Sequence, residues 1–160
     1  MKTASDVYAM TNPALCSLII CSFLEGHEAS SGRGAEFPLL FLPIPLVLSE
    51  TSRNTFSKTN SRTGFFTWIQ RNPEILIDLA ARINRTATYS REGLLFGARY
   101  RMLAGDNEGG MRTAKKIVSS QLQSIHADLR SYFNIARRFG YWVAEVGSTR
   151  MILHSLGLTP

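Results

Sequence analysis

With 160 residues the chain suits one domain, or one domain with a helical appendage, and it is long enough to bury a core without disulfides. Its composition, 44% hydrophobic and 19% charged, excludes an intrinsically disordered chain. The formal charge is +6 but unevenly placed: residues 1–50 hold two basic and five acidic side chains, and residues 51–160 hold sixteen and seven. A positive field over the C-terminal two thirds suits nucleic acid or an acidic partner, although a solvated face has the same signature.

Asn12 followed by Pro13 reads as a helix start, with Asn as N-cap and Pro at the first position, where its missing N–H costs nothing. The helix is predicted to run to about Glu28. Leu15, Leu18, Ile19, Phe23 and Leu24 give it a broad apolar face, as in a core helix. Cys16 and Cys21 lie inside it and read as small core residues. They form neither a disulfide framework nor a CxxC motif, which points to a reducing cytoplasm. The same stretch is not expected to be a signal peptide: Lys2 is the only preceding base, Asp6 follows it, and no small-x-small site ends the run. Glycine and serine in residues 26–35 break the helix.

Residues 37–48, FPLLFLPIPLVL, are twelve apolar residues in a row. A bilayer-spanning helix needs about 20, and Pro38, Pro43 and Pro45 exclude both an ordinary helix and a central strand. The run is not a membrane span. Two readings stay open: a buried extended connection inside the chain's own core, or a docking surface for another protein. In the second, the partner-packing residues are Phe37, Leu39, Leu40, Phe41, Ile44 and Leu46.

Residues 49–64 then turn polar, rich in Ser and Thr with Arg53, Lys58 and Arg62, and read as a surface segment. Phe65, Phe66, Trp68 and Ile69 follow. Asn72 and Pro73 repeat the cap signal before a helix of about a dozen residues, with Ile75, Leu76, Leu79, Ala80 and Ile83 on one side and Arg82 and Arg85 near its end. A further helix is predicted from Ser90 as cap, carrying Leu94, Leu95, Ala98 and Met102 on one face and Arg91, Arg99 and Arg101 on the other. Residues 103–116, LAGDNEGGMRTAKK, set a glycine turn between two short stretches, as in a two-stranded wing. Helix, helix and basic hairpin is the order of a winged helix, which binds DNA or docks on proteins.

From Ser119 to Val146 the apolar positions Leu122, Ile125, Leu129, Tyr132, Ala136, Phe139, Val143 and Val146 recur at spacings of three and four. Such a seam packs on the chain's own domain or on a partner helix. Ser148 caps a short last helix with Met151, Ile152, Leu153 and Leu156, and Gly157 stops it. The predicted fold is mainly α (α+β): a winged-helix-like domain over residues 1–118 with a small β-hairpin, and a C-terminal helical region over residues 119–160 packed on it as one structural unit.

Catalysis has little to work with in this sequence. His27, His126 and His154 are far apart, and none sits in an HExxH pattern or beside a cysteine at metal-ligand spacing. Gly105 and Gly110 have phosphate-loop spacing, but Met111 stands where the motif needs lysine. There is no GxSxG elbow, and His126 with Asp128 reads as two polar positions flanking the long seam. No catalytic residue, metal site or cofactor is assigned.

Four blocks, NPALCSLII (residues 12–20), FPLLFLPIPLVLSETSR (37–53), TWIQRNPEILIDLAARINRTATYSREGLLFG (67–97) and ARRFGYWVAEVGSTRMILHSLGLTP (136–160), together resemble a bacterial family. It is the middle component of three-component ABC (ABC-3C) systems, which include Lamassu-type defence operons. The resemblance implies a non-enzymatic cytoplasmic adaptor between an SMC-like ABC ATPase and an effector, commonly a nuclease. The complex would sense foreign or aberrant DNA and abort infection or remove plasmids. The long polar segment 49–64 and the weakly apolar wing depart from the family's pattern. The alternative from another class is an autonomous winged-helix repressor, with Arg99, Arg101, Arg112, Lys115 and Lys116 on phosphates.

Overall fold

A computed structural model describes residues 4, 7, 11–114 and 127–159. Helix α1 (Pro13–Ser31) is the element around which the others pack. Asn12 Oδ1 accepts from the backbone N–H of Ala14 and Leu15, so the cap read from the sequence is the cap that forms. Gly32 ends the helix in the left-handed region, where a residue without Cβ is unstrained. From Cys16 to His27 every α1 residue except Leu18 is buried, polar ones included. That burial comes from long helices on two sides.

Helix α1 meets them through glycines. A Cβ on Gly26 would overlap the Arg137 carbonyl, and one on Gly140 would overlap the Phe23 carbonyl, so the two helices touch backbone to backbone. Gly93 and Gly97 do the same work for the second long helix, against Cys16 and Ser17. A Cys or Ser in α1 is the small side of a close-packed seam.

The apolar run folds as a 3₁₀ turn (Phe37–Phe41) followed by helix α2 (Pro43–Val47), and not as an extended connection. Both prolines of α2 lie in its first turn, whose N–H groups have no intrahelical acceptor to lose. Leu39, Leu40, Leu42, Ile44, Leu46, Val47 and Leu48 are all in the core of this chain. For these residues, covering is internal.

The polar segment 49–64 is anchored more firmly than a surface loop. Ser49 caps helix α3 (Glu50–Asn54), and Phe56 then turns inward to 2% exposure among Trp68, Phe139 and Trp142. Trp142 Nε1–H donates to the Asn60 carbonyl at 3.1 Å, and Arg138 donates to the Phe56 carbonyl at 3.2 Å and to Thr59 Oγ1 at 3.0 Å. Helix α4 (Phe65–Arg71) adds Trp68, whose Nε1–H donates to Thr55 Oγ1 at 3.0 Å.

Asn72 and Pro73 open only a 3₁₀ turn (Pro73–Leu76), and the Asn72 side chain donates back to the Trp68 carbonyl instead of capping. The two helices predicted after it are one continuous helix, α5 (Leu79–Arg99). Ser90, read as a cap, is buried in its middle. Helix propensity is not interrupted between Arg85 and Arg91 by any Gly or Pro, so one helix buries more apolar surface than two. The chain is therefore mainly helical with a small hairpin, and the winged-helix label is not confirmed.

Strands β1 (Leu103–Gly105) and β2 (Met111–Thr113) pair antiparallel in the register Leu103 with Thr113, Ala104 with Arg112 and Gly105 with Met111. The hairpin is fastened to the end of α1. Ala35 bridges Met111, and Glu28 Oε1 accepts from both the backbone N–H and the hydroxyl of Thr113.

Helix α6 (Ala127–Val146) lies along α1 and buries Tyr132, Ala136, Phe139 and Val143 of the predicted seam, so the described part of the seam packs on its own chain. Leu122 and Ile125 are outside the described residues. Helix α7 (Thr149–Ser155) starts with Ser148 Oγ accepting from Met151 N–H, as its sequence implies.

Candidate functional site

Of the residues proposed for partner packing, Leu39, Leu40, Ile44 and Leu46 are at most 3% exposed and cannot reach a partner without opening the core. Two remain near the surface. Phe37 is 52% exposed, and its ring meets that of half-buried Phe41 edge-on at 5.5 Å. The Arg91 guanidinium of α5 lies 6.0 Å from the Phe41 ring centroid, within reach of a cation–π contact. Leu95, one turn further along the same face, is 71% exposed. The 3₁₀ turn and α5 thus present an aromatic pair, a guanidinium and an exposed leucine along one edge.

The residues proposed for DNA contact differ in their surroundings. Arg99 ends α5 and is exposed, as is Arg101, which holds a left-handed φ of 56° after the helix. Arg112 is engaged at the surface with the end of α1: it donates to the Gly32 carbonyl and lies 4.0 Å from Glu28. The hairpin also carries Asp106, whose carboxylate accepts from the backbone N–H of Gly110, Glu108 and Gly34 and is held below the usual carboxylate range by those bonds. Glu108 sits 4.0 Å from Arg33. Local acids offset the hairpin's basic charge. Lys115 and Lys116 lie outside the described residues.

A basic cleft appears where sequence reasoning placed nothing. It has a volume of about 590 Å³ and opens between residues 53–57 and the outer side of α6. Arg53, Arg130 and Arg138 line it, with Asn54, Ser57 and Asn134 supplying further polar groups. Among the described residues that line it there is no carboxylate. Two of the guanidinium groups are held in place. Arg138 makes the two bonds from Nη1 given above, and burial pushes its pKa below the ordinary arginine value. Arg53 donates from Nη1 to the Val47 carbonyl at 2.8 Å, and its guanidinium lies 4.8 Å from the Tyr132 ring centroid. Arg130 is exposed at the mouth. No sequence signal joins Arg53 to Arg130 and Arg138; only the inward turn of Phe56 brings them together.

A second, smaller hollow of about 260 Å³ lies beside Arg82, Glu74 and Asp78. Arg82 braces it, donating to Ser52 Oγ at 2.7 Å and to the Ile75 carbonyl at 2.9 Å. That role is structural.

The groups weighed for chemistry are dispersed. Among the described residues no three His, Cys, Asp or Glu side chains gather as a metal site would require. Cys16 and Cys21 are buried, and burial pushes both thiols up to about 12, so they stay protonated and inert at neutral pH. His27 is buried with Nδ1 3.1 Å from the Arg33 carbonyl, and burial lowers its pKa; His154 is exposed on α7, and His126 lies outside the described residues.

The family model described as MC3, ABC-three component (ABC-3C) system Middle Component 3, matches residues 2–160. No curated protein and no solved structure matches the chain.

Proposed function

The chain belongs to the Middle Component 3 family of ABC-three component systems, and from that membership we propose that it is a non-enzymatic adaptor linking an SMC-like ABC ATPase to an effector subunit, a nuclease. The assembly is of Lamassu type and defends a bacterium against phage and plasmids by acting on DNA in the cytoplasm. The observation that carries this reading is the match over residues 2–160: a chain that is a middle component along nearly its whole length is part of a multi-subunit system. Among the described residues no helix is long and apolar enough to cross a membrane.

Phe37 and Phe41 are the part of the apolar run still able to meet the ATPase, with Leu95 of α5 exposed on the same edge. An aromatic pair beside an arginine has the composition of an interface hot spot. The chain acts as one unit in this role, with α6 packed along α1, and DNA is met within the complex.

Expressing a tagged copy with its neighbouring genes, and weighing what co-purifies by size exclusion and mass spectrometry, tests the reading. Recovery of a large ATPase and an effector is the expected result. A lone monomer or dimer that binds one preferred DNA sequence would overturn it in favour of the repressor.

A further inference from the structure

We propose that the cleft between residues 53–57 and α6 is a phosphate site that grips the backbone of a nucleic-acid strand. Three guanidinium groups share one cleft of about 590 Å³, and none of the described residues lining it is acidic. The bonds from Arg138 to Phe56 and Thr59, and from Arg53 to Val47, fix two of the three groups before any ligand arrives. Holding a planar donor fork in place lowers the entropy lost on binding phosphate, and guanidinium geometry suits phosphate oxygens.

The same packing says which part of a nucleic acid is held. Phe56 lines the cleft, but its ring is already stacked on Trp142 with centroids 5.6 Å apart, so it offers no open face for a base. What remains are donors suited to phosphate oxygens: guanidinium groups and the amides of Asn54 and Asn134. Recognition by these groups positions a strand without reading its sequence. The cleft's size lies in the range of about 300–1,000 Å³ of small-ligand sites, which suits a phosphodiester with its sugars better than a bare ion.

The site does not depend on the adaptor reading, because it is measured on the full chain alone. Fluorescence anisotropy with short labelled DNA strands of two unrelated sequences, titrated over a range of salt concentrations, is the experiment. Arg130→Glu places a negative charge at the exposed mouth of the cleft, and Asn134→Asp does so on its wall. Arg71→Glu, at the exposed last residue of α4 and outside the cleft, makes the same charge change as Arg130→Glu and is its control. Both strands are expected to bind the native chain alike, and each cleft variant to weaken binding by about ten-fold while melting like the native chain. Arg130→Glu is also expected to reduce the salt slope by about 1. The control should change affinity by less than about three-fold. No binding at low salt, equal losses in Arg130→Glu and Arg71→Glu, or displacement of the strand by a mononucleotide at lower concentration than by an oligonucleotide would overturn the assignment.

Discussion

The ring of Phe56 lies parallel to the Trp142 indole, with 6° between their planes and 5.6 Å between centroids. Trp68 closes on the same ring at 4.8 Å, so a phenylalanine from a Ser/Thr-rich segment is held between indoles of α4 and α6. Phe56→Ala should therefore cost about 3–5 kcal/mol, the usual range for deleting a buried phenylalanine. In a chain of this size that lowers Tm by about 10 °C or more, read by thermal melts. Tryptophan fluorescence should change with it, because both indoles line the vacated space. A melt within a degree or two of the native chain would mean that residues 49–64 are not anchored as described.

Gly140→Ala sets two effects against each other. Helix propensity alone favours alanine by about 1 kcal/mol. The new Cβ, however, would overlap the Phe23 carbonyl, which is backbone and cannot swing aside. Relief requires α1 and α6 to separate, undoing the closest seam in the fold, and overpacking of this kind costs about 1–3 kcal/mol or more. The expected sign is net destabilisation, with a lower urea midpoint. A raised midpoint would show that the helices stand further apart than these glycines imply.

How much of this was legible depended on range. Asn12 with Pro13, and Ser148, announced their helices because a cap is decided within four residues. The hairpin was legible from its glycine turn. Asn72 with Pro73 misled because the same dipeptide opens a 3₁₀ turn when the Asn72 side chain bonds back to the Trp68 carbonyl instead of capping, and Ser90 misled because a small polar residue also suits a helix seam. The covering of residues 39–48 and the convergence of Arg53 with Arg130 and Arg138 depend on elements distant in sequence. No local pattern encodes them. The order of four blocks carried the family, since it sums weak signals over nearly the whole chain.

Buried titratable groups give stability a two-sided pH dependence. His27 has its pKa lowered from 6.5, chiefly by burial. Its contribution is in place above pH 6.5 and is lost as pH falls toward the folded value, because the unfolded chain takes up the proton first. Cys16 and Cys21 are raised from 9.0 to about 12, again chiefly by burial. Their contribution is in place below pH 9.0 and is lost as pH rises toward 12, since only the unfolded chain ionises easily. Tm measured against pH should fall on both limbs, and His27→Gln should flatten the acid one. An unaltered acid limb in that variant would place the titrating group elsewhere.

Phe37 and Leu40 separate docking from folding within one apolar run. Phe37 is 52% exposed whereas Leu40 is fully buried. Phe37→Glu should leave the melt of the isolated chain within about 0.5 kcal/mol of native, as surface substitutions do. On the proposed adaptor reading it should release the ATPase from the co-expressed complex, because a charge placed in an interface core is left unpaired and desolvated. Leu40→Glu should abolish folding, which makes its failure to assemble uninformative. Phe41→Glu falls between the two, since its ring is half-buried and lies under Arg91. Co-purification of an intact complex with Phe37→Glu, together with a native melt, would move the docking surface away from this edge.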